Sequence, residues 1–163
     1  MNENNKKKLV IGLGSNIGNR YFYLQKAVKK IEQAFSTPAT ISSIYSTPPW
    51  GNVNQPTFLN AVAYLTTSKS ALASFELLKE IEGKLGRIKN EKWGPRCIDL
   101  DILFLGDKIY TKNDITVPHI SLHQRAFVLI PAAEVLPDFV HPIENLTLLQ
   151  LTKNIENDTT IFE

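Results

Sequence analysis

Cys97-Ile98-Asp99-Leu100-Asp101-Ile102-Leu103-Phe104-Leu105 is the stretch on which the fold turns. Apart from the two aspartates every side chain is apolar, and the branched and aromatic types favour a strand over residues 97–105. Upstream lies a basic loop, 86–96, and before it a helix fits 70–85, with Ser70 as N-cap and Gly86 as stop. Leu78, Ile81 and Leu85 lie near the middle of that helix's apolar stripe. Phe58 to Thr67 reads as another strand, with Phe58, Asn60, Val62 and Tyr64 on one face and Leu59, Ala61, Ala63 and Leu65 on the other. An irregular loop precedes it, because Pro48-Pro49 and Gly51-Asn52 cannot continue a strand. Residues 40–46 fit a strand, 20–34 a helix with Leu24, Ala27, Val28, Ile31 and Phe35 at helical spacing, and 8–13 a first strand.

The order is therefore β-α-β-β-α-β, which predicts an α+β, ferredoxin-like, mainly antiparallel sheet with its helices on one face. A doubly wound Rossmann sheet would need more alternation of strand and helix than this chain supplies. A C-terminal extension follows: an extended 115–118, a helix near 127–136 and a short helix around 146–154. Glycines stand at 12, 14 and 18 but Ile occupies 17, and no Walker lysine follows, so the first loop is no dinucleotide or P-loop signature. A turn and helix entry is the expected use of those glycines.

The 163 residues suggest one domain over 1–163, with residues 1–8 expected to lack fixed structure. A net charge of +2 argues neither for nucleic acid nor for a membrane surface. Cys97 is the only cysteine, which excludes an intramolecular disulfide and fits a reducing compartment. The apolar run from Leu9 to Leu13 is too short for a signal or membrane segment. A cytoplasmic protein is expected.

Asp99 and Asp101 carry the sharpest chemical signal. Period two sets both carboxylates on one strand face, where they repel unless a cation intervenes. Mg²⁺ takes one or two protein carboxylates and fills its remaining positions with phosphate oxygens and water. The alternative is a strand end whose aspartates meet solvent or pair with lysines. Glu82 falls inside the apolar stripe of its helix, so its carboxylate needs a cation or donors, or else snorkels to water. The loop from Gly86 to Arg96 holds Arg87, Lys89, Lys92 and Arg96 beside Trp93, and runs directly into the Asp99 strand. Arginine forks and lysines beside a metal suit a polyphosphate; the plain reading is a solvated basic loop. Pro118-His119, Arg125 and Phe127 form a third polar and aromatic cluster. The His and Cys spacings match no zinc pattern.

Five segments in this order resemble the 6-hydroxymethyl-7,8-dihydropterin pyrophosphokinase family over roughly residues 9–143. They are Gly12-Leu13-Gly14-Ser15-Asn16, Ser46-Thr47-Pro48-Pro49, Gln55-Pro56-x-Phe58-Leu59-Asn60, Trp93-Gly94-Pro95-Arg96-Cys97-Ile98-Asp99-Leu100-Asp101-Ile102 and Val117-Pro118-His119. The resemblance implies transfer of diphosphate from ATP to a pterin alcohol in folate biosynthesis. It implies that Asp99 and Asp101 hold two Mg²⁺ ions against ATP, and that Arg96 and Arg87 are catalytic-loop arginines. Thr47, Pro48, Trp50, Phe58, Asn60 and Phe127 match the pterin pocket, and Glu82, Ile102, Thr116, His119 and Arg125 the nucleotide side. Trp93 matches a lid residue near both ligands, and Arg96 also contacts ATP. Lys79, Ile120 and Asp114 depart from residue types frequent in the family. The residues also suit a pterin physically, because Phe58 and Phe127 can sandwich a flat ring while Asn60 offers donors and an acceptor to its edge. A monomer is expected.

Two rivals remain at this stage. A ferredoxin-like nucleic-acid module would need exposed aromatics in a positive face, and the Asp-x-Asp strand opposes it. Another metal-dependent phosphoryl or nucleotidyl transferase would differ only in its products.

Overall fold

The computed structural model describes residues 5–49, 51, 54–88 and 94–162. Chain order runs β1 (Lys7–Ser15), α1 (Arg20–Phe35), β2 (Thr40–Ile41), β3 (Tyr45–Thr47), β4 (Phe58–Thr67), α2 (Ala71–Lys84) and β5 (Asp99–Leu105). A hairpin of β6 (Tyr110–Lys112) and β7 (Ile115–Val117) follows, then α3 (Ala126–Val135), α4 (Leu148–Thr152) and β8 (Thr160–Ile161). The main sheet is ordered β5-β1-β4-β3-β8, with β2 also on β4, and every pairing is antiparallel. This is the ferredoxin-like arrangement expected from the element order.

The apolar residues of β1 and β4 alternate as period two requires. Leu9, Ile11, Leu13, Leu59, Ala63 and Leu65 pack with Leu24, Ala27 and Ile31 of α1 and Leu78 and Ile81 of α2. Val10 and Val62 face the other way, into a second core with Leu129 and Ala132 of α3 and Leu148 and Leu151 of α4. Helices thus cover both faces, not one: α1 and α2 hold the expected side, and the C-terminal extension closes the other. The reason lies in α3, whose sequence is almost wholly apolar and must be buried.

Local signals explain most boundaries. Ser70 caps α2 by accepting from the Ala73 N–H, as expected, and Gly86 beyond its end adopts φ +88°. Asn19 caps α1 in the same manner. Several boundaries differ from expectation: β5 begins at Asp99 and not at 97, and α4 covers Leu148–Thr152 and not 146–154. β1 begins at Lys7, inside the stretch expected to lack structure, and runs through Gly14 to Ser15, so Gly12 and Gly14 are strand residues and not a turn. Both are paired on both sides, which fixes them in the ladder. The expected strand 40–46 is broken into β2 and β3. At the break the Ser42 N–H donates to Val62 O, and Ser42 Oγ accepts the Val62 N–H (2.9 Å), so a hydroxyl replaces a ladder carbonyl.

The β1–β5 register shifts between Val10 and Ile11, so Leu103 of β5 has no partner of its own. The shift has a consequence for chemistry. Leu103 and its neighbour Phe104 both join the α3 core, while Asp101 and Asp99 fall opposite Gly12 and Gly14.

Candidate active site

A depression open to solvent lies where the α3 side of the sheet runs out beyond its apolar core. β1 supplies its floor through Gly12 and Gly14, which carry no side chain into it. Asp101 and Asp99 flank that floor on β5, and Val62 and Asn60 flank it on β4. Thr47 and Pro48 come from the end of β3, Arg96 from the chain entering β5, and His119, Arg125 and Phe127 from the chain leading into α3. Ten expected site residues therefore meet: Thr47, Pro48, Phe58, Asn60, Arg96, Asp99, Asp101, His119, Arg125 and Phe127.

Gly14 explains how Asn60 fits. A Cβ at position 14 would stand 2.9 Å from Asn60 Oδ1. Asn60 itself is 7 % exposed, and its Nδ2 donates to Thr47 Oγ1 at 2.7 Å. Phe58 and Phe127 are each half-buried in the lining, and the Arg125 guanidinium lies 5.9 Å from the Phe127 ring centre. Tyr45, on the face of β3 shared with Asn60, donates its hydroxyl to Glu134 Oε2 of α3 (2.6 Å), and Glu134 Oε1 accepts from the Ser43 N–H and hydroxyl. That cluster fastens α3 to β3 beside the site. Burial, with the Glu134 bond and charge, pushes the Tyr45 hydroxyl up to about 12.

Charge is concentrated at the β5 edge. Arg87 Nη1 bonds both Glu82 Oε1 and Asp99 Oδ1 at 2.6 Å, and Arg96 Nη1 reaches Asp99 Oδ2 at 3.1 Å. Burial opposes the Arg87 charge, yet the Asp99 and Glu82 carboxylates together hold its pKa above the ordinary value. Asp101 pairs with Gly12 through its main chain, but its carboxylate makes no hydrogen bond or ion pair among the described residues. Burial first, and then the Asp99 charge, push its carboxyl up to about 7. Burial and then the Arg125 charge lower the His119 pKa, against the pull of the Asp99 charge, and so favour the neutral imidazole. Arg125 is lowered by burial, against the pull of Asp101 and Asp99.

Glu82 is buried, and its Oε1 takes three donors: the Leu100 N–H (2.7 Å), Arg87, and Lys79 Nζ (3.1 Å). Lys79 also donates to Leu100 O at 3.3 Å. Two side chains of α2 thereby satisfy both main-chain groups of Leu100 on an edge strand. Glu82 finds cations and a backbone donor, as its place in the stripe required, but it does not line the depression. Neither do Ile102, which is buried toward α1 and α2, or Thr116, which is exposed on β7. These three belong to α2, β5 and β7, which pack together at the β5 edge beside the main site. Trp50 and Trp93 lie outside the described residues, as do Lys89 and Lys92.

No group of three or more His, Cys, Asp or Glu side chains among the described residues could by itself enclose a metal. An unpaired, partly buried carboxylate two residues from another still suits a hard cation that brings phosphate and water ligands with it. Sequence reasoning passed over Gly12, Gly14 and Gln55 as lining residues. For the two glycines a signal was available, because glycine inside a strand marks a close approach; Gln55 carried none.

The family model for 7,8-dihydro-6-hydroxymethylpterin-pyrophosphokinase matches residues 10–137. The chain is 43% identical over 126 residues to the 2-amino-4-hydroxy-6-hydroxymethyldihydropteridine pyrophosphokinase of Bacillus subtilis, covering 77% of this chain and 75% of that one. It is 40% identical over 136 residues to the enzyme of the same name from Aquifex aeolicus, covering 82% of each. Among solved structures it resembles Plasmodium falciparum HPPK-DHPS with pteroate, at TM-score 0.72 and 14% identity. That likeness covers 91% of this chain and only 42% of the other, and it speaks to the fold alone. No helix among the described residues is long and apolar enough to cross a membrane. The extent of the family match and the identity to these relatives establish that the chain belongs to the 7,8-dihydro-6-hydroxymethylpterin-pyrophosphokinase family and is a pyrophosphokinase of folate synthesis.

Proposed function

We propose that the depression beside β1 is where this chain transfers diphosphate from ATP to 6-hydroxymethyl-7,8-dihydropterin, releasing AMP. The observation that supports it best is that two chemical sets line one depression: Asn60, Thr47, Phe58 and Phe127, aromatic with a hydrogen-bonding edge, and Asp99, Asp101, Arg96, His119 and Arg125, dense in charge. A pterin suits the first and a triphosphate the second.

In this reading Phe58 and Phe127 take the pterin faces, and Asn60, fixed by Thr47, reads its edge. Pro48 lines that pocket, and Trp50, outside the described residues, is assigned to it by the family resemblance alone. The hydroxymethyl oxygen forms a bond to the β-phosphorus and releases its proton to solvent, as the bond from that phosphorus to the α-phosphate oxygen breaks and AMP departs. Such a transfer needs in-line placement and charge stabilisation more than covalent help from the protein. Arg96 and Arg87 supply positive charge, and His119 and Arg125 hold the nucleotide's phosphates. Glu82, Ile102 and Thr116 at the β5 edge take its adenosine part, and Trp93 serves as lid. Asp99 and Asp101 would hold two Mg²⁺ ions, whose chemistry is to neutralise and orient the triphosphate. We further propose one domain over residues 1–163, acting as a monomer in the cytoplasm.

The test is one incubation with ATP, Mg²⁺ and the pterin alcohol. AMP and a pterin diphosphate should appear in equal amounts. ADP with a monophosphorylated pterin would leave only a generic kinase.

A further inference from the structure

Asn16 sits where β1 leaves the sheet, and its side chain is all but sealed from solvent, at 1 % exposure. Past this point the ladders on both sides end: the last pairs are Gly14 with Asp99 and Ser15 with Leu59. The gap that opens lies between the chain arriving at β5 and the chain arriving at β4. Asn16 spans it. Its N–H donates to Arg96 O (3.1 Å), and its Oδ1 accepts the Arg96 N–H (2.8 Å). Its Nδ2 donates to Gln55 Oε1 (2.9 Å) and to Pro56 O (3.2 Å) on the other side.

The partners dictate the side chain. A main-chain N–H demands an oxygen, and the Pro56 carbonyl demands a donor, so the amide has one possible orientation. Alanine fills neither requirement, and aspartate fills only the first. Arg20, the first residue of α1, adds two bonds from Nη1 to Thr57 O and Oγ1 at 2.9 Å, so the same corner grips the segment twice. The two segments Asn16 joins carry Arg96 and Gln55, both of which line the depression.

We infer that Asn16 is a positioning residue that fixes the Arg96 segment relative to the segment entering β4, and so sets the distance between the two bound substrates. It touches neither substrate and acts through Arg96 and through Gln55-Pro56. The inference rests on the function proposed above.

The test is AMP formation by four proteins: wild type, Asn16→Ala, Arg96→Ala and the double variant. Asn16→Ala should lower kcat roughly tenfold, the scale of a small misplacement of a catalytic group. In the Arg96→Ala background the same substitution should change kcat by less than about twofold. Losses that multiply, or an unaltered kcat in Asn16→Ala, overturn the inference. A general loss of stability would act equally in both backgrounds and could not mimic the coupling. If Asn16→Ala does not fold, Asn16→Asp replaces it, keeping the acceptor for Arg96 and removing the donor for Pro56. Its loss should likewise fall on kcat and shrink to less than about twofold in the Arg96→Ala background; multiplying losses or an unaltered kcat overturn the inference. Absence of AMP from wild type, or full turnover by Arg96→Ala, defeats the functional reading itself. With those two behaving as proposed, only the role of Asn16 is decided.

Discussion

Gly14→Ala separates folding from pterin recognition. The new Cβ would lie 2.9 Å from Asn60 Oδ1, too close for a carbon and an oxygen, so the amide must retreat by roughly half an ångström. Asn60 cannot do so freely, because its Nδ2 holds Thr47 Oγ1 at 2.7 Å in a buried position. Retreat stretches that bond toward the limit of a useful hydrogen bond and costs about 0.5–1.5 kcal/mol. Exchanging glycine for alanine in a strand returns about 0.5–1 kcal/mol of chain entropy. The two nearly cancel, so the unfolding free energy should move by less than about 1 kcal/mol. The pterin then meets a displaced amide, and the loss of one well-aimed hydrogen-bonded edge, about 1.4 kcal/mol, is tenfold in affinity. Calorimetric titration of pterin in the presence of a non-reacting ATP analogue measures this, with denaturant unfolding alongside. Gly12→Ala is the comparison, because its Cβ meets the flexible Leu103 Cδ2 at 3.3 Å and should weaken pterin binding less. Pterin affinity within twofold of wild type in Gly14→Ala would refute the assignment of Asn60 as the edge reader.

Asp99→Ala and Asp101→Ala should each lower turnover at least ~100-fold, the scale of losing a major electrostatic stabiliser, while both proteins still fold; near-normal turnover by folded variants removes β5 as the metal strand. Arg96→Ala should lower kcat roughly 100-fold, about 2.7 kcal/mol, with a smaller change in affinity for an ATP analogue, and equal losses in both would make it a binding residue only. Asp101 titrates higher folded than unfolded, so its contribution to stability is fully present below its ordinary value of 3.8 and is lost as pH rises through about 7. Asp101→Asn should therefore be more stable than wild type at pH 8, and that advantage should fade toward pH 4, as denaturant midpoints will report. Protonation of the same group should weaken binding of Mg²⁺-ATP by the wild type below about pH 7, measured by titration at fixed ionic strength; a flat profile would contradict its exposure to the metal.

Periodicity carried much of this architecture. The alternation from Phe58 to Thr67 gave β4 both its bounds and its two faces, and Ser70 with Gly86 bracketed α2. Features set by three-dimensional pairing were not legible. β8, two residues long, exists only because β3 offers it an edge, and no pattern of so short a segment can announce that. The shift at Leu103 depends on the partner strand, so no alternation within β5 itself announces that Leu103 and Phe104 join the same core. The break at Ser42 arises because a hydroxyl substitutes for a carbonyl, a choice a strand-former pattern does not reveal. At the site, the paired aspartates could be read because period two holds at any register. Glu82 could be seen to need partners, but not which ones, since Leu100 and Arg87 reach it only through the packing of α2 on the β5 edge.

The two loop arginines are not equivalent, and the difference follows from what each would have to give up. Arg87 Nη1 is shared between two carboxylates at 2.6 Å, one of them the buried Glu82 that also anchors the Leu100 N–H. Moving it forfeits two charge-assisted bonds, each about 1.5–3 kcal/mol, and leaves Glu82 with less compensation inside the protein. Arg96 holds one carboxylate at 3.1 Å, plus a neutral bond from Nε to Gly94 O at 3.2 Å. Its main chain is clamped by Asn16 while its guanidinium is the more lightly held of the pair. A fixed backbone under a redirectable head is what a phosphate contact formed late in a reaction requires, because the head changes partner without the segment moving. Arg87, held on two sides, is better suited to neutralising Asp99 and Glu82 and to fixing the chain beyond α2. Under the proposed function, the lower energetic cost of redirecting Arg96 favours it over Arg87 for the contact with the transferring phosphates.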